Sequence, residues 1–241
     1  MRLGPNIVQE ARNWCDKRSL TDDVARIAQD AWEFVSLHSM SLSVDGARAV
    51  VTDGVVPIVV DTSTGDRILT VDEAHTDLVG QAAISPDGTR IAFRGWHDTI
   101  YILDIITETI TDLLVRGVLP MSPVVFSRDG SWLAFGSTNN AYIYHSQLGE
   151  LVVGPLVGHA GIVRSVAISP TNSYLASGSY NGDIRVWDVN SGYTVGTLLQ
   201  GHEGEIVSVN YSPDGIYLAS GSIDGTIRLW DPKRDKQCWD R

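Results

Sequence analysis

The chain has 241 residues, 43% of them hydrophobic and 20% charged, which excludes wholesale disorder and leaves ample material for a buried core. Eighteen basic residues against 29 acidic ones give a net charge of −11, a balance that repels a phosphate backbone, and the cations are scattered. No apolar stretch approaches the roughly eighteen residues that span a bilayer, so neither nucleic acid nor a membrane is expected as a main partner.

The opening residues, MRLGPNIVQEARNW, lack the apolar core of a secretory signal. Cys15 and Cys238 stand at opposite ends of the chain and form no disulfide framework. A reducing, cytoplasmic or otherwise intracellular setting is therefore expected. Val24, Ile27, Ala28, Ala31 and Val35 then recur on one helical face, with Thr21 and Asp22 as N-cap residues. Residues 1–36 are predicted to be a helical segment or linker, either packing material or an amphipathic helix that docks a partner.

Beyond it the chain repeats. Residues 158–188 (GHAGIVRSVAISPTNSYLASGSYNGDIRVWD) and 201–231 (GHEGEIVSVNYSPDGIYLASGSIDGTIRLWD) align without a gap at an offset of 43, with 18 of 31 positions identical. Weaker copies run from His75 to Asp104, from Phe126 to His145, and through LSVDGARAVV to Asp61. Five units therefore occupy residues 37–241, ending at Asp61, Asp104, His145, Asp188 and Asp231. Within the last unit, Ile206, Val209 and Tyr211 begin a strand and Ser212-Pro213-Asp214-Gly215 forms a turn. Tyr217 to Ser220 is a second strand, Asp224-Gly225 a tight turn, and Thr226 to Trp230 a third strand. Tyr193 to Leu199 reads as an outer strand of the fourth unit, and Asp235 to Trp239 as the outer strand of the fifth. Four antiparallel strands per unit at this period describe propeller blades, an all-β fold.

The unit resembles a WD40 repeat: Gly201-His202 opens it, Ser212-Pro213-Asp214-Gly215 turns it and Trp230-Asp231 closes it. The last two units are also similar to the WD40 arrays of fungal NACHT-type signalling proteins. The resemblance implies a β-propeller, which usually has about seven blades. Five recognisable blades would then form a five-bladed or distorted ring, share blades in an oligomer, or be a fragment of a longer array; the fragment, or an incomplete or open ring, is the favoured expectation.

His202, Ser220, Asp224 and Trp230 contain the parts of a hydrolase triad. The WD40 resemblance implies instead a buried chain of hydrogen bonds running from indole to serine to imidazole to the turn aspartate. The same set recurs as His159, Ser177, Asn181 and Trp187, and an active site has no reason to recur in each blade. Neither serine lies in a G-x-S-x-G elbow. Val51, Phe93 and Phe135 occupy the serine position in the first three units, which are expected to be held by apolar packing. No catalytic residue, metal site or cofactor is expected.

The expected function is a non-enzymatic protein-interaction scaffold that binds through the top face, where the Gly-His loops and second turns emerge. Contact residues there would be Asp77 and Trp96 in the second blade, Ala160 and Tyr180 in the fourth, and Glu203, Glu205 and Ile223 in the fifth. Their acidic rim suggests a protein partner with a basic surface. The alternative is a ligand- or protein-sensing array of a NACHT-type signalling protein, of which this chain would be a fragment.

Overall fold

The computed structural model describes residues 39–52, 56–71, 81–94, 99–114, 124–232 and 236–240. Every element named among them is a β-strand, and the predicted helical segment at 1–36 lies outside the described residues. Five antiparallel sheets follow one another along the chain, each built from strands consecutive in sequence. The first contains β1 (Ser39–Leu42), β2 (Arg48–Thr52), β3 (Pro57–Asp61) and β4 (Arg67–Thr70). The second contains β5 (Ala82–Ile84), β6 (Arg90–Arg94), β7 (Thr99–Asp104) and β8 (Ile110–Leu114). The third contains β9 (Val124–Phe126), β10 (Trp132–Gly136), β11 (Asn140–His145) and β12 (Leu151–Val157). The fourth has β13 (Val163–Ile168), β14 (Tyr174–Ser179) and β15 (Ile184–Asp188), and the fifth has β16 (Ile206–Tyr211), β17 (Leu218–Ser222), β18 (Ile227–Asp231) and β19 (Lys236–Asp240).

The turn between the first two strands of each sheet is set by its residues. In four sheets a serine hydroxyl donates to the aspartate two positions on, as Ser43 does to Asp45 (2.6 Å) and Ser127 to Asp129 (2.6 Å). The glycine after the aspartate takes a positive φ, between 69° and 72°, which only glycine adopts without a steric cost. The fourth sheet has Ser169-Pro170-Thr171-Asn172 instead. There Asn172 enters the left-handed region at φ 58°, and its side-chain amide donates to Asp129 of the neighbouring sheet at 2.8 Å.

Side chains on opposite faces of a strand pack against different neighbours. Val50 and Val59 of the first sheet share a core with Ala82, Ile84, Ile91 and Phe93 of the second. Ile100 and Ile102 of the second meet Val124, Leu133 and Phe135 of the third. Ala134, Ala141 and Ile143 of the third meet Val163, Val166, Leu175 and Trp187 of the fourth. Ala167, Ala176, Ile184 and Val186 of the fourth meet Ile206, Val209, Leu218 and Trp230 of the fifth. No core among the described residues joins the fifth sheet to the first, so the array is not a closed ring.

Glycines permit the closest of these approaches. A Cβ placed on Gly136 would lie 2.8 Å from Val163 Cγ1, and one on Gly178 would come closer still to Ile206 Cγ2.

The outer edge of the fourth sheet departs from expectation. Residues 193–199 form no strand; only isolated bridges join Ile184 to Leu199 and Trp187 to Thr194. Gly196 lies between them with φ 69°, and this left-handed kink interrupts the ladder. The expected outer strand of the fifth sheet is present as β19.

Candidate functional site

The tight turn before the third strand brings the repeated polar residues together. In the fifth sheet, Gly225 takes φ 82° and its N–H donates to the Ser222 carbonyl at 3.1 Å. That turn holds Asp224 beneath the loop carrying His202. The Trp230 indole N–H donates to Ser220 Oγ at 2.8 Å, and Ser220 Oγ lies 2.8 Å from His202 Nε2. His202 Nδ1 lies 2.9 Å from Asp224 Oδ2, which also accepts the Glu203 amide at 3.0 Å. Thr226 completes the cluster, donating its hydroxyl to Asp224 Oδ1 at 2.7 Å. A carboxylate only accepts, so Nδ1 carries the ring proton and Nε2 accepts from the serine. Sequence reasoning missed Thr226, although its place two residues after the turn aspartate is a typical capping arrangement.

The fourth sheet builds the same chain with one change of residue. Trp187 Nε1 donates to Ser177 Oγ at 2.8 Å, and Ser177 Oγ lies 2.6 Å from His159 Nε2. The imidazole pairs with Asp183, at 3.0 Å from Nδ1, and not with Asn181. Asp183 stands where the fifth sheet has Thr226, two residues after the expected partner. Ser179 donates its hydroxyl to the same carboxylate, and the Asn181 backbone N–H is capped by Ser179 Oγ at 3.1 Å. A charged acceptor makes the stronger hydrogen bond to a buried imidazole, and Asp183 supplies one that the amide of Asn181 cannot. Asn181 itself points outward, exposed against Gly161.

Both aspartates are held in the charged form. Desolvation acts to raise the Asp224 carboxyl, but hydrogen bonds from Thr226, His202 and the Glu203 amide outweigh it and hold the group below the ordinary carboxylate range. Burial likewise opposes ionisation at Asp183, and hydrogen bonds from His159 and Ser179 prevail. Each serine is enclosed, its oxygen taken by an indole N–H and its proton directed at the imidazole. A nucleophile must be reachable by substrate; these hydroxyls are not. Among the described residues, no group of three or more His, Cys, Asp or Glu side chains is placed to hold a metal ion.

In the first three sheets, apolar and aromatic side chains occupy these positions. Phe135 and Tyr144 stand at the serine and tryptophan positions of the third sheet, with stacked rings 5.5 Å apart. Phe93 packs on Tyr101 at 5.7 Å in the second. Two arginines that sequence reasoning passed over tie neighbouring sheets at the opposite end. Arg48 donates to the Gly88 carbonyl at 2.7 Å, and Arg90 to the Gly130 carbonyl at 3.1 Å and to Ser146 at 2.9 Å. Both stand five residues after the turn serine, a coincidence of register legible in the sequence.

The top-face residues divide. Tyr180 (56% exposed) and Ile223 (66%) project from equivalent positions just before the tight turns. Ala160 and Glu203 are exposed beside them. Glu205 differs: it is buried and ion-paired with Arg164 of the preceding sheet, so it does not belong to an acidic rim. Asp77 and Trp96 lie outside the described residues. The loops themselves are in contact: Gly182 abuts the His202 and Gly204 carbonyls, and Gly204 abuts Ile223. Tyr180 and Ile223 thus rise from one continuous surface.

Replacing Ser177 with alanine leaves a buried indole N–H and an imidazole nitrogen unpaired, at a cost of about 1–3 kcal/mol. Urea unfolding measures this, and a loss under about 0.5 kcal/mol would contradict the hydrogen-bond chain. The two aspartates titrate lower when folded than when unfolded. Their contribution is therefore fully present above the unfolded value of about 3.9 and lost as pH falls below it. Asp224→Asn is expected to flatten the fall of the urea midpoint below about pH 4; an unaltered acid slope would show that this carboxylate carries no such linkage.

Comparison with known proteins matches residues 151–188 and 192–231 to the WD domain, G-beta repeat. The ribosome biogenesis protein WDR12 homologue of Nematostella vectensis is 32% identical over 125 residues, covering 50% of this chain and 29% of that protein. Periodic tryptophan protein 2 of Saccharomyces cerevisiae is 33% identical over 98 residues, covering 40% of this chain and 10% of that protein. An uncharacterised WD repeat-containing protein of Synechocystis, sll1491, is 32% identical over 117 residues, covering 48% and 33%. The chain spans about a third or less of the length of these relatives. Residues 151–188 and 192–231 thus match WD40 repeats, and the three upstream sheets follow the same order of consecutive antiparallel strands.

Proposed function

We propose that the chain is a non-enzymatic scaffold that binds protein partners on the face where the Gly-His loops and tight turns of the sheets emerge. The observation that carries this reading is the placement of Tyr180 and Ile223. Both are exposed large side chains at equivalent positions of adjacent sheets, and each is fixed by its backbone: Tyr180 N–H donates to the Ile162 carbonyl at 2.8 Å and Ile223 N–H to the Glu205 carbonyl at 3.0 Å. Rigidly presented aromatic and aliphatic anchors lose little entropy on binding and commonly carry most of an interface's energy. The hydrogen-bond chains beneath them hold the loops in place. With Glu205 neutralised by Arg164, selection at this face rests on apolar shape, and the acidic contribution reduces to Glu203 and its surroundings.

WD40 repeats generally serve as platforms for other proteins, and some similar proteins are named for ribosome biogenesis or as a subunit of a translation initiation factor. Those names fit an intracellular scaffold with its binding surface in residues 37–241. No helix among the described residues is long and apolar enough to cross a membrane.

Affinity purification with the wild type, followed by direct titration of the recovered partner, tests the reading. Tyr180→Ala and Ile223→Asp are each expected to weaken that partner by about tenfold or more while leaving the thermal midpoint unchanged. Ile106→Asp, in a turn at the opposite end of the sheets, serves as the control. Equal affinity for all four proteins, or loss with Ile106→Asp alone, would move the binding surface elsewhere.

A further inference from the structure

The first sheet follows no other sheet among the described residues, yet the central strands of both its faces are buried. Register sets Val50 opposite Val59, and these side chains join the core shared with the second sheet. Ala49, Val51, Ile58 and Val60 therefore lie on the other face. In the fourth and fifth sheets, Leu175 and Leu218 stand at the repeat position of Ala49 and pack toward the preceding sheet. All four residues of the first sheet are buried, and the further hydrophobic side chain packed on them among the described residues is Val56. A sheet cannot enclose its own face, so another part of the chain covers this one.

The cover is narrower than a sheet. Met40 and Leu42 of β1 pair with Val51 and Ala49 and share their face, and both are 41% exposed. Val166, at the position of Met40 in the fourth sheet, is 3% exposed against the third sheet. On β4, Ile68 alternates with the core residue Leu69 and is again 41% exposed. The two central strands are sealed while the outer strands keep contact with solvent, the footprint of a single chain segment. The fifth sheet does not supply it, because Ile227 on its far face is 57% exposed. Residues 53–55 join β2 to β3 at one end, whereas Ala49 and Val60 are buried at the other. Residues 72–80 leave from Val71, which belongs to the core with the second sheet.

We infer that residues 24–37, which run directly into β1, lie across this face and take the place of a preceding sheet. The stretch carries Val24, Ile27, Ala31, Trp32, Phe34 and Val35, ample apolar surface for the stripe from Ala49 to Val60. Even at the helical rise of about 1.5 Å per residue it spans about 20 Å, against about 17 Å for a five-residue strand. The first sheet is thereby closed at this face to another sheet and to a second copy of the chain. This surface is separate from the loop face proposed for protein partners and stands independently of that reading.

Two measurements on the full 241-residue chain, carrying Cys15→Ser and Cys238→Ser, test the assignment. The thiol introduced by Val60→Cys is expected to react with a maleimide at least about tenfold more slowly than that of Ile227→Cys. A photoactivatable benzophenone carried on Ile68→Cys, at the exposed rim, is expected to cross-link within one chain to residues 24–37, read by peptide mass spectrometry. Equal labelling rates would show the face uncovered and overturn the proposal. Cross-links that miss residues 24–37 would give the face to another segment and overturn it too. So would cross-links joining light and heavy chains in an isotopic mixture, which would make the cover a second copy.

Discussion

Packing of one antiparallel sheet on the next is the interaction on which the rest of the molecule depends, because a single four-stranded sheet cannot enclose either of its own faces. Four cores lie between consecutive sheets, and each draws its apolar side chains from both partners. Fully burying an isoleucine or leucine contributes about 1.5–3 kcal/mol. A sheet with neighbours on both sides therefore gains far more than one with a single neighbour. The glycines at 136 and 178 follow from the same constraint, since a methyl group at either would separate two sheets that are in van der Waals contact.

The hydrogen-bond chains belong to a second tier. They link an outer loop, two central strands and a tight turn within one sheet, through His159 and Ser177 in the fourth and His202 and Ser220 in the fifth. By fixing those loops they turn a packing scaffold into a surface. The first three sheets lack the chain and place Val51, Phe93 and Phe135 at the serine position, all buried. At the opposite end the arginines at 48 and 90 tie neighbouring sheets together.

Much of this is legible in the residues alone. The Ser-x-Asp-Gly turns and the closing tryptophans are local chemistry, and the repeat offset aligns them from one unit to the next. What the sequence conceals has physical causes. Register matches Asn181 to Asp224, but the imidazole requires a carboxylate within reach, and Asp183 provides it two residues further on. The outer segment at 193–199 has strand-forming residues, yet the left-handed Gly196 breaks its pairing. Glu205 reads as surface charge until Arg164, 41 residues earlier in sequence, is brought against it by the packing of two sheets. Each difference concerns a partner that only the fold brings near, or a backbone bend that composition does not reveal.

Native-state amide exchange across the whole chain tests most directly whether packing between sheets dominates. The central strands β14 and β17 are matched in sequence, paired on both edges and tied into the same kind of hydrogen-bond chain. They differ in that, among the described residues, the fourth sheet shares a core with a neighbour on each face and the fifth on one. The account predicts that β14 amides exchange at least about tenfold more slowly than those of β17. Equal protection, or faster exchange in β14, would show that each sheet is stabilised by its own hydrogen bonds and not by its neighbours.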